Sequence, residues 1–592
     1  MKSPDGHLLL KQEGAGYAVY SRGEAVVSIP EVGIAVGDSG AWTYSKQLKP
    51  KSIKESYRML SGKKSVCTNA AREYAFLYHN AAGKELRLVF RLYNDGVAFR
   101  YELSGLQNEK IRGEQTVYHI AEGTKRWMQK FDDSYENFFP LSVTGASSNH
   151  HWGYPALLQM QRDVWVLLTE AGIERRQSAS SLKNDAEPDR YRVSMARNEL
   201  ELSGEWHSPW RVAIVGSLAD VVASTLVTDV SAPCRLGDTS WIRPGVASWI
   251  YWAYNRGSKD FRIVKQYIDM AAALQLPYVL IDWEWDIMGN GGTIDDALEY
   301  AARRGVKVLL WYNSSTAWTT NGAGGPLFKL NAPDDREREF AMLEEKGVAG
   351  VKIDFFSGDT QPTMDYCIDL LECAARHRLL VNFHGATIPR GWQRTYPNLL
   401  TVEAVYGAEW YNNAPLLTNR AAAHNATLPF TRNVIGAMDY TPCTFSDSQH
   451  PHITTNAHEL ALTVLFESGL QHLADKPESY LAQPQEVQCF LSGLPAAWDE
   501  TRLVTGYPGE EAVIARRKDD TWYVAGINGT DSEREIKTEL SFLEKGTWRL
   551  VSFFDGDDGQ QPWLIADVPE ASLPSSVRCR PRGGFVLKLR KN

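Results

Sequence analysis

Seven polar residues sit at or just past the ends of apolar runs in the middle of the chain: Asp282, Asn313, Asp354, Asn382, His384, Glu403 and, in the following loop, Glu409. The clearest case is Gly350-Val351-Lys352-Ile353-Asp354-Phe355-Phe356, a strand core that delivers a carboxylate at its C-terminal end. An ionised carboxylate removed from water is costly without a partner, so an acid in that place implies chemistry or an ion pair. Lys352 and Asp354 are two residues apart, which on a strand puts both side chains on one face. Two acids at one cavity suit glycoside hydrolysis, where one carboxyl protonates the leaving oxygen and the other attacks carbon or activates water. Asp354 and Glu409 are the pair chosen here, although these residue types alone also allow other hydrolyses. Several glutamates without a Cys or His cluster suit a hard cation, Ca²⁺ rather than Zn²⁺. A further acid, Glu170, closes the apolar run Val166 to Ile173 and is the candidate ligand from outside the central segment.

The elements that must position these residues alternate between apolar strand and amphipathic helix from about residue 241. Strands are expected at 246–252, 278–283, 306–312, 349–355, 378–384 and 400–404, with helical periodicity over 260–275, 294–304, 335–346, 362–376 and 456–469. Two further strands are placed near 429–434 and 470–473. Polar residues gathered at strand ends predict a (β/α)₈ TIM barrel with its site at the C-terminal face, and an open doubly wound sheet is the alternative.

On either side the pattern is β. Residues 1–240 contain short alternating strands such as 86–93 and 97–102, joined by the hairpin signal Asn94-Asp95-Gly96, and predict a β-sandwich. Residues 503–592 return to strands at 512–517, 522–527, 546–551 and 584–589 and predict a small β domain. The catalytic barrel is thus expected over 241–502.

Composition narrows the partners. A net charge of −9 with no basic run argues against nucleic acid. No apolar stretch reaches membrane-spanning length, and the first residues carry no signal region, which fits a cytoplasmic chain or a mature form after leader removal. The seven cysteines include no CxxC pair, so neither a zinc site nor a disulfide framework is expected. The 19 tryptophans, some beside acids as in Trp283-Glu284-Trp285-Asp286, suit stacking on sugar rings, although core packing accounts for most of them.

The blocks Leu168-Thr-Glu-Ala-Gly-Ile173, Gly350 to Phe355, Asn382-Phe-His-Gly-Ala386, Arg394-Thr-Tyr-Pro-Asn398, Thr401 to Glu409, Gly436-Ala-Met-Asp-Tyr-Thr-Pro442 and Trp498-Asp-Glu-Thr-Arg502 together resemble glycoside hydrolase family 97. The resemblance implies an N-terminal β super-sandwich, a central (β/α)₈ barrel and a C-terminal β domain. The family's inverting α-glucosidases carry a Glu directly after the strand-five His and lack the strand-four acid. Here Gly385 follows His384 and Asp354 fills the strand-four position, the retaining pattern. The resemblance therefore implies Asp354 as nucleophile, Glu409 as acid/base, and Ca²⁺ on Glu170, Glu403 and Glu409. Lys352, Asp282, Trp283 and His384 become candidates for sugar-hydroxyl recognition. The implied substrate is an oligosaccharide or polysaccharide ending in α-D-galactose or a similar sugar, the implied location periplasmic or secreted. β-L-Arabinopyranosidase, inverting α-glucosidase and a non-catalytic carbohydrate-binding protein are the alternatives.

Overall fold

In a computed structural model, the structure describes all residues except 38–39, 162, 448, 557–561, 569–572 and 592. Residues up to Gly216 build a 17-stranded, largely antiparallel β assembly, whose strands Glu85–Tyr93 and Gly96–Glu109 meet through the two-residue Asn94-Asp95 turn. Alternating apolar residues fill its interior, as the period-2 pattern requires.

Seven parallel strands follow: β1 (Gly245–Trp249), β2 (Tyr278–Ile281), β3 (Lys307–Asn313), β4 (Gly350–Asp354), β5 (Leu380–Phe383), β6 (Leu399–Val402) and β7 (Leu470–Leu473). Their order is β6-β5-β4-β3-β2-β1-β7. Nearly every residue in them is buried, because helices cover one face and the barrel interior the other. Those helices include α1 (Phe261–Ala273), α2 (Ile294–Arg303), α3 (Pro333–Glu345) and α4 (Gln361–Arg376). Local chemistry sets their starts: Asp260 caps α1, Thr293 and Asp296 form a reciprocal box on α2, and prolines open α3 and α4.

The strand expected at 429–434 is not there. Leu428–Phe430 and Arg432–Ile435 are 3₁₀ turns, and the gap between β6 and β7 is bridged instead by the irregular segment after them. In that segment Met438 N donates to Glu467 O at 2.9 Å and Asp439 N donates to Val402 O at 3.0 Å. Arg432, fully buried, ties the turn down by donating to the carbonyls of Val402, Glu403, Ala404, Gly436 and Ala437. Such a bridge has no strand periodicity, which is why the sequence pattern misplaced it.

The terminal six-stranded antiparallel sheet begins with Glu500–Tyr507 and packs against helix α5 (Asn456–Leu465). Arg516 fastens it by donating to Val464 O (2.7 Å) and Leu465 O (2.9 Å). Sandwich and barrel are joined by backbone bonds such as Gly172 N to Arg390 O, 2.9 Å, and Ala179 N to Asp359 O, 3.1 Å.

Candidate active site

The strand tips of the barrel converge on one acidic cluster. Asp354 ends β4 and lies in register with Asn313 at the end of β3. It is 7% exposed, and its Oδ2 accepts from the Trp311 indole at 3.0 Å while its Oδ1 accepts from Phe355 N at 2.8 Å. The second bond requires the chain to turn back sharply, and Phe355 adopts φ 65°, a left-handed conformation that few large side chains occupy. Burial raises the Asp354 carboxyl pKa, opposed by Lys352, His384 and the Trp311 N–H.

Lys352 does share a face with Asp354, as the strand period demands, but its shorter contact is elsewhere. Its Nζ lies 3.0 Å from Asp282 Oδ2 and 3.8 Å from Asp354 Oδ2. Burial alone would lower the ammonium pKa, yet Asp282, Asp354, Glu409 and Glu403 together hold it above the usual lysine range. Asp282 is fully engaged: Oδ2 also accepts from Trp249 Nε1 at 2.8 Å, and Oδ1 accepts from Trp283 N at 2.9 Å. Asp282 thus positions Lys352 and has both oxygens hydrogen-bonded within the protein. Trp283 is likewise committed: its indole donates to Asn255 O at 2.6 Å, Arg256 covers its ring at 4.3 Å, and it is 7% exposed. Of the four residues expected to read sugar hydroxyls, these two already have polar partners within the protein.

His384, at the end of β5, is held between two carboxylates. Its Nε2 donates to Asp439 Oδ2 at 2.6 Å, and Nδ1 lies 3.3 Å from Glu403 Oε2. Burial opposes the charged ring, but Glu403 and Asp439 outweigh it and raise the pKa well above the usual histidine value. The imidazolium is therefore a positioning group for Glu403 and not a free hydroxyl donor. Glu403 also accepts from Gly385 N at 2.7 Å, and although burial works against it, His384 and that N–H lower its pKa. Glu409 differs. It stands half-buried at the start of a short helix, Trp410–Asn413, and burial, Glu403 and Glu136 raise its pKa well above the usual carboxyl range against Lys352 and His384. Two neighbouring carboxyls pushed in opposite directions, Glu403 ionised and Glu409 protonated, form an acid poised beside a fixed negative charge.

The position after His384 has a steric meaning. A Cβ on Gly385 would lie 2.9 Å from Asp354 Oδ1 and 3.0 Å from Phe355 N, at φ 46°. With Asp354 in place, residue 385 has no room for a side chain. The two acid patterns distinguished in the sequence exclude each other here on steric grounds.

Two residues of this cluster escaped the sequence reading. Asp439 accepts from His384, from Asn382 Nδ2 at 2.7 Å and from His472 Nδ1 at 3.0 Å, and these partners hold its carboxyl far below the usual range despite burial. It comes from the irregular bridge, where no strand pattern marked an end. Glu136, from the sandwich, accepts from Trp410 Nε1 at 3.0 Å, and burial and Glu403 push its carboxyl up to about 8. Its only signal was an acid between aromatic residues, Tyr135-Glu136-Asn137-Phe138-Phe139.

Glu136 replaces Glu170 as the sandwich acid in this field. Both Glu170 oxygens are taken: Oε1 accepts from Arg390 Nε (2.6 Å) and Ser180 N (2.9 Å), and Oε2 from Arg211 Nη1 (2.5 Å) and Ser180 Oγ (2.6 Å). A carboxylate so enclosed has no lone pair free for a cation. Ligand atoms of His384, Glu403 and Glu409 do lie within 4.8 Å of one another. The two carboxylates, with Glu136 close by, fit a hard divalent cation, while His384 has both ring nitrogens against carboxylates.

A parallel barrel with opposed carboxyls at its C-terminal mouth defines a glycoside hydrolase of the barrel type. The chain belongs to glycoside hydrolase family 97. The family's N-terminal domain matches residues 1–233, its catalytic domain (Glycoside hydrolase 97) residues 248–405, and its C-terminal oligomerisation domain residues 497–590. A probable retaining α-galactosidase of Streptomyces bingchenggensis (strain BCW-1) is 35% identical over 90% of this chain and 83% of its own length. A retaining α-galactosidase of Bacteroides thetaiotaomicron is 28% identical over 100% of this chain and 96% of its own. A crystal structure of a β-arabinopyranosidase superposes with TM-score 0.90 at 29% identity, covering 99% of each chain. No helix among the described residues is long and apolar enough to cross a membrane.

Proposed function

We propose that this enzyme releases terminal α-D-galactose from glycans with retention of configuration, by double displacement. The observation that carries the reading is Asp354, presented at the tip of β4 by two donors, Trp311 Nε1 and Phe355 N, with the Lys352 ammonium 3.8 Å away and no side chain on Gly385 to crowd it. Asp354 attacks the anomeric carbon as the bond to the leaving oxygen breaks, and Glu409 gives that oxygen its proton. Glu409, now ionised, takes a proton from water; the water oxygen attacks the anomeric carbon and Asp354 is released. Lys352 favours the ionised form of Asp354 against burial, and burial with Glu403 and Glu136 favours the protonated form of Glu409. The names of the two curated relatives support the sugar and the stereochemistry.

Ca²⁺ belongs to this reading. Glu403 and Glu409, with Glu136 beside them, are the residues that would hold it. The ion would orient sugar hydroxyls and supply positive charge next to Glu409, lowering a carboxyl that burial raises.

A second reading, β-L-arabinopyranosidase, is favoured by the superposition reported above. That sugar shares galactose's ring hydroxyl arrangement and lacks the hydroxymethyl group, a difference of about 1–3 kcal/mol in an apolar pocket. The deciding experiment compares hydrolysis of aryl α-galactoside, α-glucoside and β-L-arabinopyranoside in the presence of Ca²⁺, with the first-formed anomer followed by NMR. Galactoside preference with an α-anomer first supports the proposal. A β-anomer first from the α-galactoside removes Asp354 from the nucleophile role, arabinopyranoside preference selects the second reading, and binding without cleavage makes the chain a carbohydrate-binding protein.

A further inference from the structure

On the outer face of the barrel, helices α3 and α4 bring together a donor set unlike the one at the mouth. Cys373 and His377 are four residues apart at the end of α4, so they lie on one helical face, and Glu337 and Glu344 face them from α3. Ligand atoms of Glu337, Cys373 and His377 all lie within 4.8 Å of one another. The Cys373 thiol is 3.3 Å from Glu337 Oε2, and His377 Nε2 is 2.9 Å from Glu337 Oε1. The other ring nitrogen, Nδ1, is 3.0 Å from Glu344 Oε2. Both ring nitrogens thus face carboxylates; once an ion takes the place of the Nε2–Glu337 contact, Glu344 holds the proton on Nδ1 and leaves the Nε2 lone pair for the ion, an arrangement that accompanies most metal-bound histidines.

We infer that Glu337, Cys373 and His377 form a binding site for a borderline-soft divalent cation of the Zn²⁺ type, with Glu344 as the positioning residue for His377. In tetrahedral zinc sites, ligand distances of about 2.0–2.3 Å separate the donor atoms by roughly 3.3–3.8 Å, so these side chains need to move by less than about an ångström. The thiol proton leaves to solvent as the Cys373–metal bond forms, and the fourth position is open to water. Charge is balanced: one thiolate and two carboxylates face the dication and Arg376, whose Nη2 is 2.7 Å from Glu337 Oε2. The cysteine spacing alone argued against a zinc site, because the donors come from two helices with only one Cys between them. The ion would pin together the helices that precede and follow β4, the strand that carries Asp354.

Cobalt(II) tests this apart from the mouth, whose cluster of His384, Glu403 and Glu409 includes no cysteine. Titrated into the calcium-loaded full-length enzyme, Co²⁺ should give a near-ultraviolet thiolate charge-transfer band saturating at one equivalent. Cys373→Ser should abolish the band, while Cys234→Ser and Cys489→Ser, at the two exposed cysteines, should leave it intact. Glu344→Gln should keep the band but weaken binding about 10-fold or more, and His377→Gln should weaken it further. Zn²⁺ should raise the Tm of the native chain by about 2 °C and not that of Cys373→Ser. No band in the native enzyme, or a band that survives Cys373→Ser, overturns the site. If Cys373→Ser does not fold, unchanged Co²⁺ affinity in His377→Gln and Glu344→Gln overturns it equally.

Discussion

The barrel mouth and the Glu170 cluster are both buried, both rich in carboxylates and nearly adjacent, yet they are built on opposite terms. Around Glu170, every acid meets a guanidinium: Arg211 holds Glu114 and Glu170, and Arg390 holds Glu170 and Asp359. At the mouth, Asp282, Asp354, Glu403, Glu409 and Asp439 share one lysine and the histidines, and Glu136 adds a further carboxyl. Saturated pairing makes a rigid, inert anchor; a shortage of cations leaves carboxyls with shifted affinities for protons and metals, which is what chemistry needs. The two regions are coupled. Arg390 donates to Tyr135 Oη at 2.9 Å and Tyr135 donates to Asp359 at 2.5 Å, so the arginine cluster fixes the loop that delivers Glu136.

Changes at the mouth should strike activity and spare the fold, and those in the arginine cluster should do the reverse. The largest effect is expected from Asp354→Ala, a fall in kcat on the order of 10⁴-fold with unchanged Tm, partly restored by azide, which can enter the vacated space as a small nucleophile. Full activity in that variant would end the distinction between the two regions. Gly385→Glu should lower kcat/KM at least about 100-fold by displacing Asp354, and NMR should detect no inverted product.

Glu170→Gln leaves Arg211 and Arg390 short of a counter-charge and should destabilise the chain by about 3–5 kcal/mol in denaturant titrations, without direct change to calcium affinity. Glu136→Gln should do the opposite, weakening calcium about 10-fold or more by calorimetry at near-native stability. Equal calcium loss in both would merge the clusters into one site.

The smallest effect serves as a control outside both regions. Burial raises Asp229 to about 7, although Tyr57 (2.7 Å) and Thr225 (3.0 Å) donate to it. An acid with a raised folded-state pKa binds protons more tightly when folded, so its contribution is present at low pH and is lost as pH rises from about 4 to about 7. Asp229→Asn should flatten that part of the stability profile, with Tm at pH 8 up by a few degrees relative to the native chain and little change at pH 4.5. A steeper fall would reverse the sign.

Much of the fold was legible because local rules and tertiary packing agree. Barrel strands β1 to β6 and their helices came from apolar runs and helical period, and the hairpin at Asn94-Asp95 from its turn residues. Asp354, Glu403, Glu409 and His384 come together because a regular barrel brings strand ends to one face, so a polar residue after an apolar run is placed at its mouth. Glu136 and Asp439 lie on irregular chain with no period to announce them, and the arginine partners of Glu170 were not legible because an acid ending an apolar strand looks the same whether arginines or a cation await it.

By itself, the sequence determined the sequence of layers, the family and the acids at strand ends, since these depend on side-chain type and spacing along the chain. Only the tertiary structure decided which acids are free. Whether a carboxylate is neutralised depends on groups up to 220 residues away, as Arg390 is from Glu170, and electrostatic energy falls with distance in space, not along the chain.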